Sequence, residues 1–172
     1  MNPHGPDRGA QGVEEAYAEY GDALFRFALR LCGHRDDAED LVVETFVEAH
    51  RRWGTFRGIG SRRAWLYGIA ANRARMARRR ARPTEPLSDG IPQSGPDATD
   101  RLVLEEAIAR LPPKRRAAFL LVKAEGLTAR EAAEALGRPL GTVLYEVHRA
   151  VHELRTALGE EPLPTLLAEA KP

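Results

Sequence analysis

The chain has one cysteine, Cys32, in 172 residues. That excludes an intramolecular disulfide and any multi-cysteine zinc site. Phe27, Ala28 and Leu31 surround it at helical spacing, so a buried, inert thiol is expected. Aromatic residues make up only 6% of the chain, which predicts small, aliphatic cores. No run approaches the ~18–20 apolar residues needed to span a bilayer. Residues 1–12 are Gly/Pro-rich and polar, without the apolar centre of a secretion signal. A cytoplasmic chain without membrane insertion is expected. No stretch alternates with period two, so no sheet is expected either. The most informative absence is local: residues 51–82 contain no Asp or Glu, against eleven arginines.

The overall net charge of +1 therefore conceals strong polarity. Residues 1–50 hold four basic and eleven acidic side chains, and Asp36, Asp37, Glu39, Asp40, Glu44 and Glu48 end that stretch just where the arginines begin. Trp53, Phe56, Trp65 and Tyr67 lie within or beside the basic block. An acidic patch running into an Arg/aromatic patch suggests a basic protein surface for the first and nucleic acid for the second. The arginines form two groups, Arg57, Arg62 and Arg63 around a glycine loop, and Arg73, Arg75, Arg78, Arg79, Arg80 and Arg82 beyond it. A solvated helical face usually mixes signs; this one does not, which favours phosphate binding. The four aromatics can stack exposed bases, although Trp65 lies on the apolar face of its helix.

Residues 83–100 contain four prolines and two glycines with only Leu87 and Ile91 as large apolar side chains, the composition of a flexible tether. It separates an N-terminal module, 13–82, from a C-terminal module, 101–158, with a disordered N-terminus at 1–12 and a tail at 159–172. Both modules read as helical. In the first, helices are expected over about 13–31, 36–53 and 62–81. In the second, a helix ends at Pro112-Pro113, another spans 114–125, and Thr128 and Glu131 form a capping box at the start of 129–136. Gly137 ends that short helix, and Thr142 is expected to cap a longer one reaching Leu158. A short capped helix, a glycine turn and a longer helix make a helix-turn-helix. The fold class is all-α: two small helical domains joined by a flexible linker.

Asp36-Asp37-Ala38-Glu39-Asp40 has the DDxxD form by which terpenoid synthases bind magnesium, but the large pocket and second metal motif those enzymes need are missing. Acids complementing a helix N-terminus account for Asp36 and Asp37. No metal, cofactor or catalytic constellation is recognised, and no enzyme is expected. The helix-turn-helix has four arginines and four glutamates over 126–158, with Leu144, Tyr145 and Glu146 at its exposed front, so alone it should bind DNA weakly.

Together these segments resemble a bacterial RNA polymerase sigma factor of the extracytoplasmic-function (ECF) group. The resemblance covers about residues 14–158 and rests on Asp37-Ala38-Glu39-Asp40-Leu41 with Glu44-Thr45-Phe46, on Arg63-Ala64-Trp65-Leu66-Tyr67 with Ile69-Ala70 and Asn72, and on Leu111-Pro112-Pro113. Further on, Glu125-Gly126-Leu127-Thr128 leads through Glu131–Gly137 to Gly141-Thr142-Val143. It implies core RNA polymerase, through its β′ and β subunits, as partner: Asp37, Glu39, Asp40, Leu41 and Glu44 dock on a coiled coil of β′, and the tether runs through the polymerase towards its RNA exit channel. It implies that Phe56, Arg57, Arg62, Arg63, Trp65, Asn72, Arg73, Arg75, Arg78 and Arg79 capture and hold the opened −10 strand of promoter DNA. It implies that Arg138, Thr142, Leu144, Tyr145, Glu146, His148 and Arg149 meet the −35 element, and that an anti-sigma factor is a possible partner. Where the family usually has a basic residue, Ser and Arg, this chain has Leu144, Tyr145 and Glu146. The C-terminal helix thus reads an unusual −35 sequence, reads it weakly, or contacts a protein instead. A stand-alone helix-turn-helix regulator is the other reading; the neutral recognition helix argues against it.

Overall fold

Seven α-helices, and no strand among the described residues, make up the computed structural model, which describes residues 8–56, 61–80 and 98–159. Helix α1 (Arg8–Cys32) is stopped by Gly33, whose φ of 82° is the left-handed turn that glycine adopts without strain. Helix α2 (Arg35–Arg52) buries Ala38, Leu41, Val42, Thr45, Phe46 and Ala49 along one face. The buried Thr45 hydroxyl donates back to the Leu41 carbonyl at 2.6 Å, which satisfies it inside the helix. A 3₁₀ turn (Trp53–Thr55) leads out of α2, and α3 (Arg62–Arg80) begins where the Ser61 hydroxyl accepts from the Ala64 amide at 3.1 Å. These three helices pack around Leu24, Phe27, Leu31, Phe46, Leu66 and Ile69.

The second module is α4 (Ala98–Arg110), α5 (Pro113–Phe119), α6 (Ala129–Leu136) and α7 (Leu140–Ala157). Pro113 sits at the first turn of α5, where a missing N–H costs nothing. The Thr128/Glu131 capping box forms as expected, with Thr128 Oγ1 accepting from the Glu131 amide at 3.2 Å and Glu131 accepting from the Thr128 amide at 2.9 Å. The Thr128 amide, and after it the Thr128 hydroxyl donating to the same Glu131 oxygen at 2.9 Å, hold the Glu131 carboxyl below its usual 4.5. Thr128→Ala loses the hydroxyl's share and is expected to cost about 1 kcal/mol at pH 7. A depressed carboxyl contributes stability above its unfolded value and loses it as pH falls through the folded one. The difference in urea midpoint between variant and wild type should therefore shrink below about pH 4.5.

Four boundaries depart from the sequence pattern. Helix α1 starts at Arg8 rather than near Val13, and Gly12 lies flat against the Trp53 indole, where a Cβ would come within 2.5 Å of the ring. The packing of that aromatic extends the helix through residues of poor propensity. The expected helix over 114–125 is α only to Phe119; Leu120–Ala124 form a π-helical turn closed by Glu125 N donating to Leu120 O at 2.8 Å. Helix α7 begins at Leu140, capped by the Pro139 backbone, so Thr142 lies inside the first turn and does not cap it. Proline's fixed φ starts the helix three residues earlier. The tether is helical from Ala98, while residues 83–97, 1–7 and 160–172 lie outside the described residues.

The two modules are packed onto each other. Buried side chains of both form a single apolar cluster, with α3 against α6 and α1 against α4 and α5.

Candidate nucleic-acid interface

The first module separates charge by helix. On α2, Asp36, Asp37, Glu39, Asp40 and Glu44 are all exposed. On α3, the far end presents Arg75, Arg78 and Arg79 to solvent. Arg73 is not part of that free group. Its guanidinium donates to Glu48 Oε2 at 2.7 Å and lies 3.5 Å from Glu44, so it ties α3 to α2. Arg75 is steadied by donating to Asn72 Oδ1 at 2.7 Å.

At the other end of α3, three aromatics collect beside its N-terminus. Trp65 meets Trp53 edge-on with centroids 5.9 Å apart, and Phe56 lies 5.2 Å from Trp65. Arg62 stacks over Trp53 at 5.2 Å. All three rings are half-buried and a cation lies over one of them, an arrangement suited to an unpaired base. Arg57 lies outside the described residues.

Tyr67, grouped with these aromatics by sequence, belongs elsewhere. It is 1% exposed, packs edge-on against Phe27 at 4.9 Å, and donates its hydroxyl to Glu125 Oε2 at 2.5 Å. Burial and that bond hold its pKa well above the usual phenol range. Arg63 donates to the carbonyl and, at 3.5 Å, to the carboxylate of the same Glu125, and its guanidinium covers the Tyr67 ring. The π-helical turn aims Glu125, only 9% exposed, into this contact between modules. Next to Tyr67, Gly68 meets α6 so closely that a Cβ would stand 2.7 Å from the Ala135 carbonyl oxygen. Arg30 grips Glu105 through both Nε and Nη2 at 2.6–3.1 Å, and Arg116 donates to the Leu31 carbonyl ending α1 and the Leu111 carbonyl beyond α4. Cys32, beside this junction, is half-buried; burial, then the Asp37 charge, pushes its thiol up to about 11, which leaves little reactive thiolate near neutral pH.

In the C-terminal module, the front of α7 exposes Leu144 and Tyr145 but not Glu146. The Glu146 carboxylate is bound by Arg115 at 3.0 Å, and Arg115 also holds Glu153. Thr142 and His148 are exposed; Arg138 and Arg149 are half-buried.

Residues 16–84 match the Sigma-70 region 2 family and residues 101–154 the Sigma-70, region 4 family. The ECF RNA polymerase sigma factor SigL of Mycobacterium tuberculosis is 36% identical over 170 residues, covering 88% of this chain and 94% of SigL. The chain belongs to the ECF sigma factors. SigE of Mycolicibacterium smegmatis, an ECF RNA polymerase sigma factor, is also 36% identical, over 169 residues; there the chain spans 63% of the relative's length, less than two thirds. Among solved structures, the sigma factor RpoE of Bartonella quintana, crystallised with the anti-sigma factor NepR, superposes with a TM-score of 0.69 at 25% identity, covering 88% of this chain and 99% of RpoE. CnrH, in complex with the cytosolic domain of CnrY, gives 0.68 at 25% identity over 89% and 91%.

Within this sigma factor, three of the expected site residues are engaged inside the molecule. Leu41 is a core residue at 5% exposure. Arg73 spends its charge on Glu48 and Glu44. Glu146 faces Arg115 instead of the front of its helix. Sequence reading missed an apolar groove beside the acids, lined by Val13, Tyr17, Val43, Phe46, Val47, His50 and Arg51. Its signal was present: Val43 and Val47 are apolar yet fall off the core stripe of α2. Among the described residues no helix is long and apolar enough to cross a membrane, and no cluster of three metal-type ligands occurs.

Proposed function

We propose that this protein is an alternative sigma factor that binds core RNA polymerase and directs promoter recognition, −10 melting and initiation, without catalysing a covalent step itself. The observation that carries this reading is the division of one three-helix module into an acidic face on α2 and an arginine end on α3, in a chain matching sigma regions 2 and 4 in order. Asp37, Asp40 and Glu44, with Val43 and Val47 beside them, would dock on a basic, partly apolar surface of the polymerase β′ subunit. Glu39 contributes charge while pairing with Arg35 at 2.8 Å. Trp53, Phe56, Trp65 and Arg62 would receive an unpaired base of the −10 element, and Arg75, Arg78 and Arg79 the backbone of the opened strand. The α6–α7 unit would meet the −35 element. Strand separation is driven by binding energy for unpaired bases.

RpoE was solved with the anti-sigma factor NepR, and CnrH with the cytosolic domain of CnrY. An anti-sigma factor is accordingly proposed for this chain, acting in the cytoplasm on the packed arrangement of the two modules. Reversing charge on the docking face tests the polymerase contact. Asp40→Lys with Glu44→Lys should weaken binding to core polymerase about tenfold at low salt, less at high salt, because exposed charges are screened. Unchanged affinity in a fluorescence titration against core enzyme would remove α2 from the interface.

A further inference from the structure

Helix α7 carries an exposed stripe that the charge pattern leaves unexplained. Gly141, Leu144, Tyr145, His148 and His152 follow one another at helical spacing and all face solvent, with Leu144 51% and Tyr145 60% exposed. The stripe contains no carboxylate, because both acids of this helix, Glu146 and Glu153, turn onto Arg115. Two bonds to carboxylates raise the Arg115 pKa, so the clamp stays charged across the working pH range. Two half-buried cations flank the stripe: Arg138 in the turn before the helix, and Arg149 on it, 3.8 Å from Glu153. The start of α7 has no side-chain cap and no acid in its first turn, which leaves a positive helix end facing the same side.

We infer that Leu144 and Tyr145 are the specificity-determining residues of this helix, and that they read the 5-methyl groups of thymines in the major groove. The inference rests on the sigma reading above and names what its −35 contact recognises. The first residues of a recognition helix are the ones that reach base edges. On those edges the thymine methyl is the one apolar group that projects into the groove, among hydrogen-bond donors and acceptors. An apolar side chain against a G·C edge desolvates polar atoms without replacing their bonds, which is unfavourable; against a thymine methyl it buries carbon on carbon. The Arg115 clamp removes the carboxylate that would repel phosphate, and the flanking arginines and helix end suit the backbones on either side. Those features favour a duplex over a protein occupant.

Holoenzyme made from core polymerase and the full chain should select, from a randomised duplex library, promoters whose upstream element places thymines opposite this helix. Replacing those thymines with deoxyuridine removes only the methyls and should lower affinity about fourfold per methyl lost. The penalty should disappear in the Leu144→Ala/Tyr145→Ser variant, which changes two exposed side chains and leaves the core alone. The inference is overturned if selected promoters bind equally with deoxyuridine, or if the variant keeps the full penalty. It is equally overturned if the variant selects the same DNA while losing a protein partner. Selection of no promoter at all would defeat the sigma reading itself, a result distinct from a promoter indifferent to the methyl groups.

Discussion

Gly68→Leu combined with Glu125→Ala is expected to part the two modules while leaving each folded. At Gly68 a side chain must displace the α6 backbone, since a first carbon would already stand 2.7 Å from the Ala135 carbonyl oxygen. Backbone cannot rotate away as a flexible side chain does. Removing the Glu125 carboxylate leaves the buried Tyr67 hydroxyl without its acceptor and the Arg63 cation without its counter-charge. Leaving such groups unsatisfied costs about 1–3 kcal/mol, so the closed arrangement should lose a hundredfold or more in population relative to an open one. Solution scattering should report a radius of gyration larger by several ångströms, with helical circular dichroism retained. Glu125→Gln, which keeps an acceptor for Tyr67, should open the molecule less. An unchanged scattering curve for the double variant would mean that the apolar contacts alone hold the modules together. The consequence for DNA is direct. Arg63 cannot hold Glu125 and a phosphate at once, so the open variant should bind single-stranded −10 DNA more tightly.

The second large effect is expected at the exposed end of α3. Arg75→Ala with Arg79→Ala should reduce affinity of the holoenzyme for promoter DNA by about ten- to a hundredfold near physiological salt, and should flatten the dependence of log K on log salt by about 2. Arg73→Ala serves as the contrast. Its guanidinium is already committed to Glu48 and Glu44, so its loss should leave the salt slope alone and instead lower the stability of the α2–α3 contact. Equal slopes for all three proteins would place the phosphate contacts elsewhere.

The contrast between Arg73 and Arg75 shows how far the sequence could be read. Local features were legible: the helical periods, the Thr128/Glu131 box, the Gly33 and Gly137 stops, and the switch from acid to arginine each depend on residues within a turn or two of one another. Partnerships across the chain were not. Nothing near Arg73 in sequence says that Glu48, 25 residues away, will neutralise it. Nothing in the run Leu120–Glu125 announces a π-helical turn that swings Glu125 under Tyr67. Glu146 reads as an obstacle to DNA until Arg115, 31 residues earlier, is found beside it. Leu41 fits the family string for polymerase docking, yet helical geometry puts it in the core and leaves Val43 and Val47 outside. The packing of the two modules depends on long-range fit at Gly68 and Ala135, for which a lone glycine in a helix is the only local trace.

Run-off transcription in a reconstituted system tests the central claim most directly. Core RNA polymerase with this protein, supplied with a fragment library from the genome that encodes it, should start at a small set of sites sharing one promoter pattern. Permanganate should show unpaired thymines around each −10 region, and both signals should fall together in the Arg75/Arg79 variant. Initiation at no genomic site, with core polymerase active on a control sigma factor, would contradict the account.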